Sequence, residues 1–169
     1  MEIERKFTIK QLPEDLDSYP VHHIEQAYLN TEPVIRVRKE DDNYYMTYKG
    51  KGMMAREEYN LSLNEASYYH LRDKADGIII SKKRYLIPLK NPQFTEGSPI
   101  PPEDYTLTIE LDVFDAPLSP LVMAEVEFGS KEAAANFLPP DWFLEDVTYD
   151  PAYHNSNLSR AGFTGHNIK

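Results

Sequence analysis

Residues 34–49 read VIRVRKEDDNYYMTYK, and the period of that stretch decides the fold. From Val34 to Lys39 the side chains alternate, with Arg36 and Arg38 on one face and Ile35 and Val37 on the other. From Tyr44 to Lys49 the alternation returns, with Thr47 and Lys49 opposite Met46 and Tyr48. Between them lies Glu40-Asp41-Asp42-Asn43, whose short polar side chains favour a tight turn. The stretch is therefore a β-hairpin carrying its cations on one face.

The same period extends outward along the chain. At the N-terminus Ile3, Phe7 and Ile9 share a face that Arg5 interrupts, while Glu2, Glu4, Lys6 and Thr8 share the other. His23–Asn30, Arg56–Ser62, Ile78–Leu89, Tyr105–Phe114 and Leu121–Phe128 complete the strands. Ser62 and Glu65 form a capping box that predicts a helix over Ala66–Ala75, with Asp76-Gly77 as its stop. Ser130 is the expected cap of a short helix running through Phe137 and ended by Pro139-Pro140. Residues 91–103, with four prolines and one glycine, are expected to form an exposed loop. Asp141–Tyr153 is mixed, and residues 154–169 are expected to fray. Eight strands and two helices within one domain spanning residues 1–169 predict a mainly β fold, a closed eight-stranded antiparallel barrel. An open sheet of that size would leave two long edges to protect.

The chain has 169 residues, a net charge of −10 and no cysteine. A disulfide framework and a thiolate metal site are excluded. The charge argues against nucleic acid or an anionic membrane as a partner. No apolar run approaches the roughly 20 residues of a membrane helix, and MEIERKF lacks the apolar core of a signal peptide. A cytoplasmic location is the expectation. His22-His23 reads as a solvated or partly packed pair, and Trp142 as a packing anchor.

Charges could face water or line the barrel; half-buried strands permit both. Two details favour the interior. Acids gather on three strands (Glu2 and Glu4; Glu110 and Asp112; Glu125 and Glu127), and bases on three others (Arg36 and Arg38; Lys49; Lys82 and Arg84). An ordinary surface mixes both signs along a strand. Counting Lys6, six bases balance six acids, so the rest of the chain carries the whole −10. Cations facing carboxylates suit a polyanion held with a metal: Arg and Lys neutralise phosphate oxygens, and carboxylates two residues apart on a strand project together as hard ligands.

Glu2-Ile3-Glu4-Arg5-Lys6 at the N-terminus is followed in order by Gln26-Ala27-Tyr28-Leu29, Arg36-x-Arg38, Thr47-x-Lys49-Gly50, Arg56-Glu57-Glu58, Lys82-x-Arg84-Tyr85, Glu110-x-Asp112 and Glu125-x-Glu127-Phe128. This series resembles the CYTH superfamily, also called triphosphate tunnel metalloenzymes; Asp146-Val147-Thr148 and Tyr153…Asn157-Leu158 extend the likeness. The resemblance implies an eight-stranded tunnel with a hydrophilic lumen. It implies Mg²⁺ or Mn²⁺ held by Glu2, Glu4, Asp112, Glu125 and Glu127, with Glu4, Asp112, Glu125 and Glu127 serving catalysis. It further implies a triphosphate gripped by Lys6, Arg36, Arg38, Lys49, Lys82 and Arg84, with Arg56 and Glu58 beside it.

Hydrolysis of inorganic tripolyphosphate to pyrophosphate and phosphate is the expected reaction, because nothing in the sequence argues for an adenine or thiazolium site. Thiamine triphosphatase, nucleoside triphosphatase and class IV adenylyl cyclase are the alternatives within that family. Outside it stands a non-catalytic polyphosphate-binding module, which would not need both carboxylate pairs. Monomer and homodimer are equally compatible with the sequence.

Overall fold

The computed structural model describes residues 1–99, 101–103 and 105–161. Its strands are β1 (Glu2–Ile9), β2 (Val21–Thr31), β3 (Val34–Glu40), β4 (Asn43–Lys49), β5 (Ala55–Arg56), β6 (Glu58–Leu63), β7 (Asp76–Lys90), β8 (Gln93–Phe94), β9 (Thr106–Phe114), β10 (Val122–Glu127), β11 (Phe137–Leu138) and β12 (Phe143–Asp146). The α-helices are α1 (Glu65–Arg72), α2 (Lys131–Asn136) and α3 (Asn155–Ala161). None of the helices among the described residues is long and apolar enough to cross a membrane.

The main sheet runs β1-β10-β9-β7-β2-β3-β4-β6, entirely antiparallel. The last seam is bridged by β5, one residue ahead of β6, which pairs Arg56 with Glu2 and Ala55 with Ile3. Eight strand positions thus encircle a lumen, and the ring is nearly closed. The expected fifth strand is really two, split at Glu57: β6 holds β4 while β5 holds β1. The other half of β1 takes β12 on the same side.

Two of the apolar cores lie outside this ring. Ile3, Phe7, Ile109, Leu111, Ala124 and Val126 project outward from the β1-β10-β9 wall and pack beneath α2, Phe137 and Phe143. Ala27 and Val37 pack beneath Tyr68 of α1. Burial of such a side chain contributes about 1.5–3 kcal/mol, so the outer layers stabilise the barrel while its lumen stays ionic. Arg5, which breaks the apolar face of β1, donates to the carbonyls of Ala134 and Phe137 at the C-terminal end of α2 and pairs with Asp146. Trp142 packs edge-on against Phe143, as an anchor should.

One end of the lumen is plugged. Tyr28, Val34, Ile80, Phe114, Leu121 and Met123 meet Val147, Tyr153 and Leu158 there. The chain expected to fray from 154 onward instead forms α3, with Leu158 and Ser159 fully buried; residues 162–169 lie outside the described part. Gly77 is not a helix stop but opens β7 with φ +71, and a Cβ on it would fall 2.1 Å from the Ser159 carbonyl oxygen. Asn64, not Ser62, caps α1 by accepting from the Ser67 amide. Ser130 caps α2 as expected. Within the proline-rich segment, β8 pairs with β11 and ties the loop to the end of α2.

Candidate active site

Along β1, β3, β4, β7, β9 and β10 the even-numbered, odd-numbered or charged row identified by alternation turns inward, and burial follows. Glu4, Lys6, Arg36, Arg38, Lys49, Lys82, Arg84, Asp112 and Glu125 are each at most 8% exposed. All but Lys82 and Asp112 line a cavity of about 610 Å³ open to solvent. Glu2, Glu4, Lys6, Arg36, Arg38, Lys49, Arg56, Glu58, Arg84, Glu125 and Glu127 line it. Glu127 lies at the exposed rim, and Glu2, Arg56 and Glu58 are half-buried.

Two walls differ in how their charges are held. On the β1-β10-β9-β7 wall every base has a carboxylate. Lys6 Nζ donates to Glu125 Oε1 at 2.8 Å and lies 3.2 Å from Glu4 Oε1. Lys49 reaches across the seam to Glu2 at 2.8 Å and Glu58 at 3.2 Å. Arg84 grips Asp112 through Nε and Nη2 at 2.7 and 2.8 Å, and also contacts Glu110 and Glu125. Burial opposes ionisation of Glu125, but Lys6, then Arg84 and Lys82, hold its pKa well below the usual carboxylate range. Glu4 and Glu127 are direct partners across β1 and β10. Burial, then Glu4 and Glu58, raises Glu127. Burial, Glu58 and Glu4 together push Glu2 up to about 8 against the pull of Lys49.

On the β2-β3-β4-β6 wall Arg36 and Arg38, unlike Lys49 at the seam, are unneutralised. Among the described residues no carboxylate lies within ion-pair distance of Arg36 or Arg38, 4% and 7% exposed. Arg36 Nη2 donates to Thr47 Oγ1 at 3.3 Å, that hydroxyl donates to Asn60 Oδ1, and Asn60 donates to Glu58. Arg36 Nε is buried without a hydrogen-bond partner. Burial, then neighbouring Arg38, lowers the Arg36 pKa. Holding two largely buried guanidinium groups side by side without a carboxylate is costly, so the fold holds two cations in wait for an anion.

Two expected site residues lie beneath the floor. Lys82 and Asp112 have side chains with no exposure, join at 2.8 Å, and do not line the cavity. Asp112 is spent on Lys82 and Arg84, which correct its expected place among groups facing a metal; Lys82 is likewise screened from a ligand. Alternation states which face a residue takes, not its depth along the bore. Glu110 takes the accessible place instead: it lines the cavity beside Arg84. Its own motif already contained the signal, two residues before Asp112. Tyr45, Asn60, Asn155 and Ser156 also line the cavity; neutral residues with no charge pattern gave no sign of it. His22 stands apart and pairs with Asp41 at the β3–β4 turn.

In chemical terms the cavity offers free guanidinium donors facing a cluster of carboxylates. Among the described residues no three carboxylate or imidazole groups converge on one point, since Lys6 and Lys49 each bridge two of the acids. Glu2, Glu4, Glu58 and Glu127 nevertheless gather hard oxygen donors at one side of the cavity, where burial first, and then the neighbouring carboxyl groups, raise Glu2 and Glu127. Carboxylate oxygen is the donor type that Mg²⁺ and Mn²⁺ take.

Comparison with known proteins agrees with this geometry. The CYTH domain family matches residues 1–142. An inorganic triphosphatase of Nitrosomonas europaea is 36% identical over 162 residues, covering 94% of this chain and 96% of the relative. An inorganic triphosphatase of Acetivibrio thermocellus is 32% identical over 161 residues, covering 93% and 92%. The crystal structure of the inorganic triphosphatase NE1496 superposes with a TM-score of 0.62 at 32% identity, covering 94% of each chain.

Proposed function

The chain belongs to the CYTH domain family, and from that premise we propose that its lumen binds inorganic tripolyphosphate and hydrolyses it to pyrophosphate and phosphate. The observation that carries this reading is the pair of buried, unneutralised guanidinium groups of Arg36 and Arg38. A pair of unneutralised cations of that kind favours a multiply charged anion, and phosphoryl transfer is mostly positioning and charge neutralisation. The names of the relatives support the triphosphate as the substrate class.

Each lining residue then has a role. Arg36 and Arg38 take phosphate oxygens from one wall, Lys6 and Arg84 from the other, and Lys49 from the seam between them. Lys82 and Asp112 act from below by fixing Arg84. Glu2, Glu4 and Glu127 would hold a divalent cation, Mg²⁺ or Mn²⁺. Such an ion neutralises phosphate oxygens and makes a bound water more acidic. Glu127, raised by burial and by Glu4 and Glu58, accepts a proton from the attacking water. Glu125 lines the cavity but is already discharged by Lys6 and Arg84, so its part is to orient Lys6.

The test offers purified protein tripolyphosphate, thiamine triphosphate and ATP with each metal. Phosphate, pyrophosphate and cyclic AMP are quantified separately. Phosphate and pyrophosphate from tripolyphosphate, at the highest kcat/KM of the three, are expected. Pyrophosphate with cyclic AMP from ATP would replace the proposal with a cyclase, and micromolar binding without product would replace it with a binding module.

A further inference from the structure

Gln26 is wholly buried on the inner face of β2, opposite Arg38 in the β2–β3 register. Its Oε1 accepts from Arg38 Nε at 2.9 Å and Nη2 at 2.6 Å, and its Nε2 donates to the Tyr28 hydroxyl at 3.5 Å. The amide orientation is forced, because a guanidinium has only donors to offer. The Tyr45 hydroxyl accepts from Nη1 at 3.4 Å. A guanidinium carries five N–H groups. Gln26 takes two and Tyr45 one, so one N–H remains on each terminal nitrogen. Those two N–H groups are left to donate to phosphate oxygens.

Among the described residues every hydrogen-bond acceptor of Arg38 is neutral. This contrasts with Arg84, on the opposite wall, whose acceptors are all carboxylates. A carboxylate at position 26 could make the same hydrogen bonds but would neutralise Arg38, and the guanidinium would meet the substrate already discharged. We propose that Gln26 is a positioning residue for the triphosphate site: it fixes the rotamer of Arg38 while leaving its charge free for the substrate. The inference rests on the triphosphate reading of the cavity and adds to it the reason for an amide at this position.

Three variants decide the matter: Gln26→Glu, Gln26→Met and Arg38→Met, each assayed for tripolyphosphate KM and kcat, tripolyphosphate Kd by calorimetry, and thermal unfolding without ligand. Q26E should retain or raise the unfolding temperature, because it pairs a buried charge. Its KM and Kd should nevertheless rise roughly tenfold or more, the worth of about one charge-assisted hydrogen bond. A purely structural glutamine would give no such split between stability and affinity. Q26M should raise KM as well, through loss of the anchor, but less than Q26E, since Arg38 keeps its charge. Unchanged KM in Q26E, or in Q26M, overturns the role of Gln26. If R38M binds tripolyphosphate poorly while Q26E binds it normally, the positioning role alone falls. If R38M binds it as well as the unaltered protein does, the reading of the cavity falls and the role of Gln26 with it.

Discussion

Arg84 and Asp112 are locked together by two parallel hydrogen bonds, Nε to Oδ1 at 2.7 Å and Nη2 to Oδ2 at 2.8 Å, beneath the floor of the cavity. Lys82 adds a third contact to the same carboxylate. Asp112 is therefore the counter-ion of two buried cations. Removing one partner of a buried ion pair costs about 3–5 kcal/mol, because the other charge is stranded. Asp112→Ala is expected to lower stability by about that much in urea denaturation, and to lose activity through Arg84. A variant of unaltered stability would contradict the buried triad.

The rim acids should behave oppositely. Glu127 is exposed and has no ion-pair partner among the described residues. Glu127→Ala should leave unfolding free energy within about 0.5 kcal/mol, the usual range for a surface change. Turnover should nevertheless fall by about two orders of magnitude or more, as loss of a general base does. Stability and activity measured on one preparation separate the two effects, and normal turnover would remove Glu127 from the chemistry.

Arg36 and Arg38 make the reverse case. An unpaired buried guanidinium is a burden to the empty protein. Arg36→Met should raise the unfolding temperature without ligand and weaken tripolyphosphate binding roughly tenfold or more. The stabilisation that saturating tripolyphosphate confers should shrink in parallel. A variant less stable than the unaltered protein, with normal affinity, would show that Arg36 serves the fold instead.

Metal-free protein should lose stability as pH rises. Glu2 is raised from 4.5 to about 8 by burial, by Glu58 and by Glu4. A carboxyl whose folded pKa exceeds its unfolded value contributes fully below the unfolded pKa, and the contribution disappears as pH climbs to the folded one. The window is therefore about pH 4.5 to 8. Glu58 is held low, so its opposite contribution changes below that window. Unfolding temperature measured across the window with a chelator present should decline, by roughly 2–4 °C for each kcal/mol lost. Glu2→Gln should flatten the decline, and addition of Mg²⁺ or Mn²⁺ should offset it at pH 8. An equal decline in Glu2→Gln would assign it to other groups.

Most of the fold was legible because the barrel is built from half-buried strands whose period is two. The Arg36/Arg38 row could be assigned to one face from sequence, and charge segregation indicated the interior. Depth was not legible: Asp112 and Glu110 share a face, yet strand register sinks one beneath Arg84 and leaves the other at the cavity. The split at Glu57 was hidden because β5 and β6 form one alternating run, and only the ring shows that they hold different partners. Helix α3 was missed because Asn155-Ser156-Asn157 has weak helix propensity; burial of Leu158 against the plug, possible because Gly77 lets the chain approach, overrides it. Gln26 stood within the motif Gln26-Ala27-Tyr28-Leu29, but without a charge nothing in the sequence gave it a role.

Determination of the complex with tripolyphosphate tests the central claim most directly. The expected result is a phosphate chain inside the barrel, with oxygens within hydrogen-bond distance of both Arg36 and Arg38, and with the carboxylates of Glu4 and Glu127 on its far side. Phosphates bound only on the outer surface, with both guanidinium groups still without an anion at saturating ligand, would contradict it.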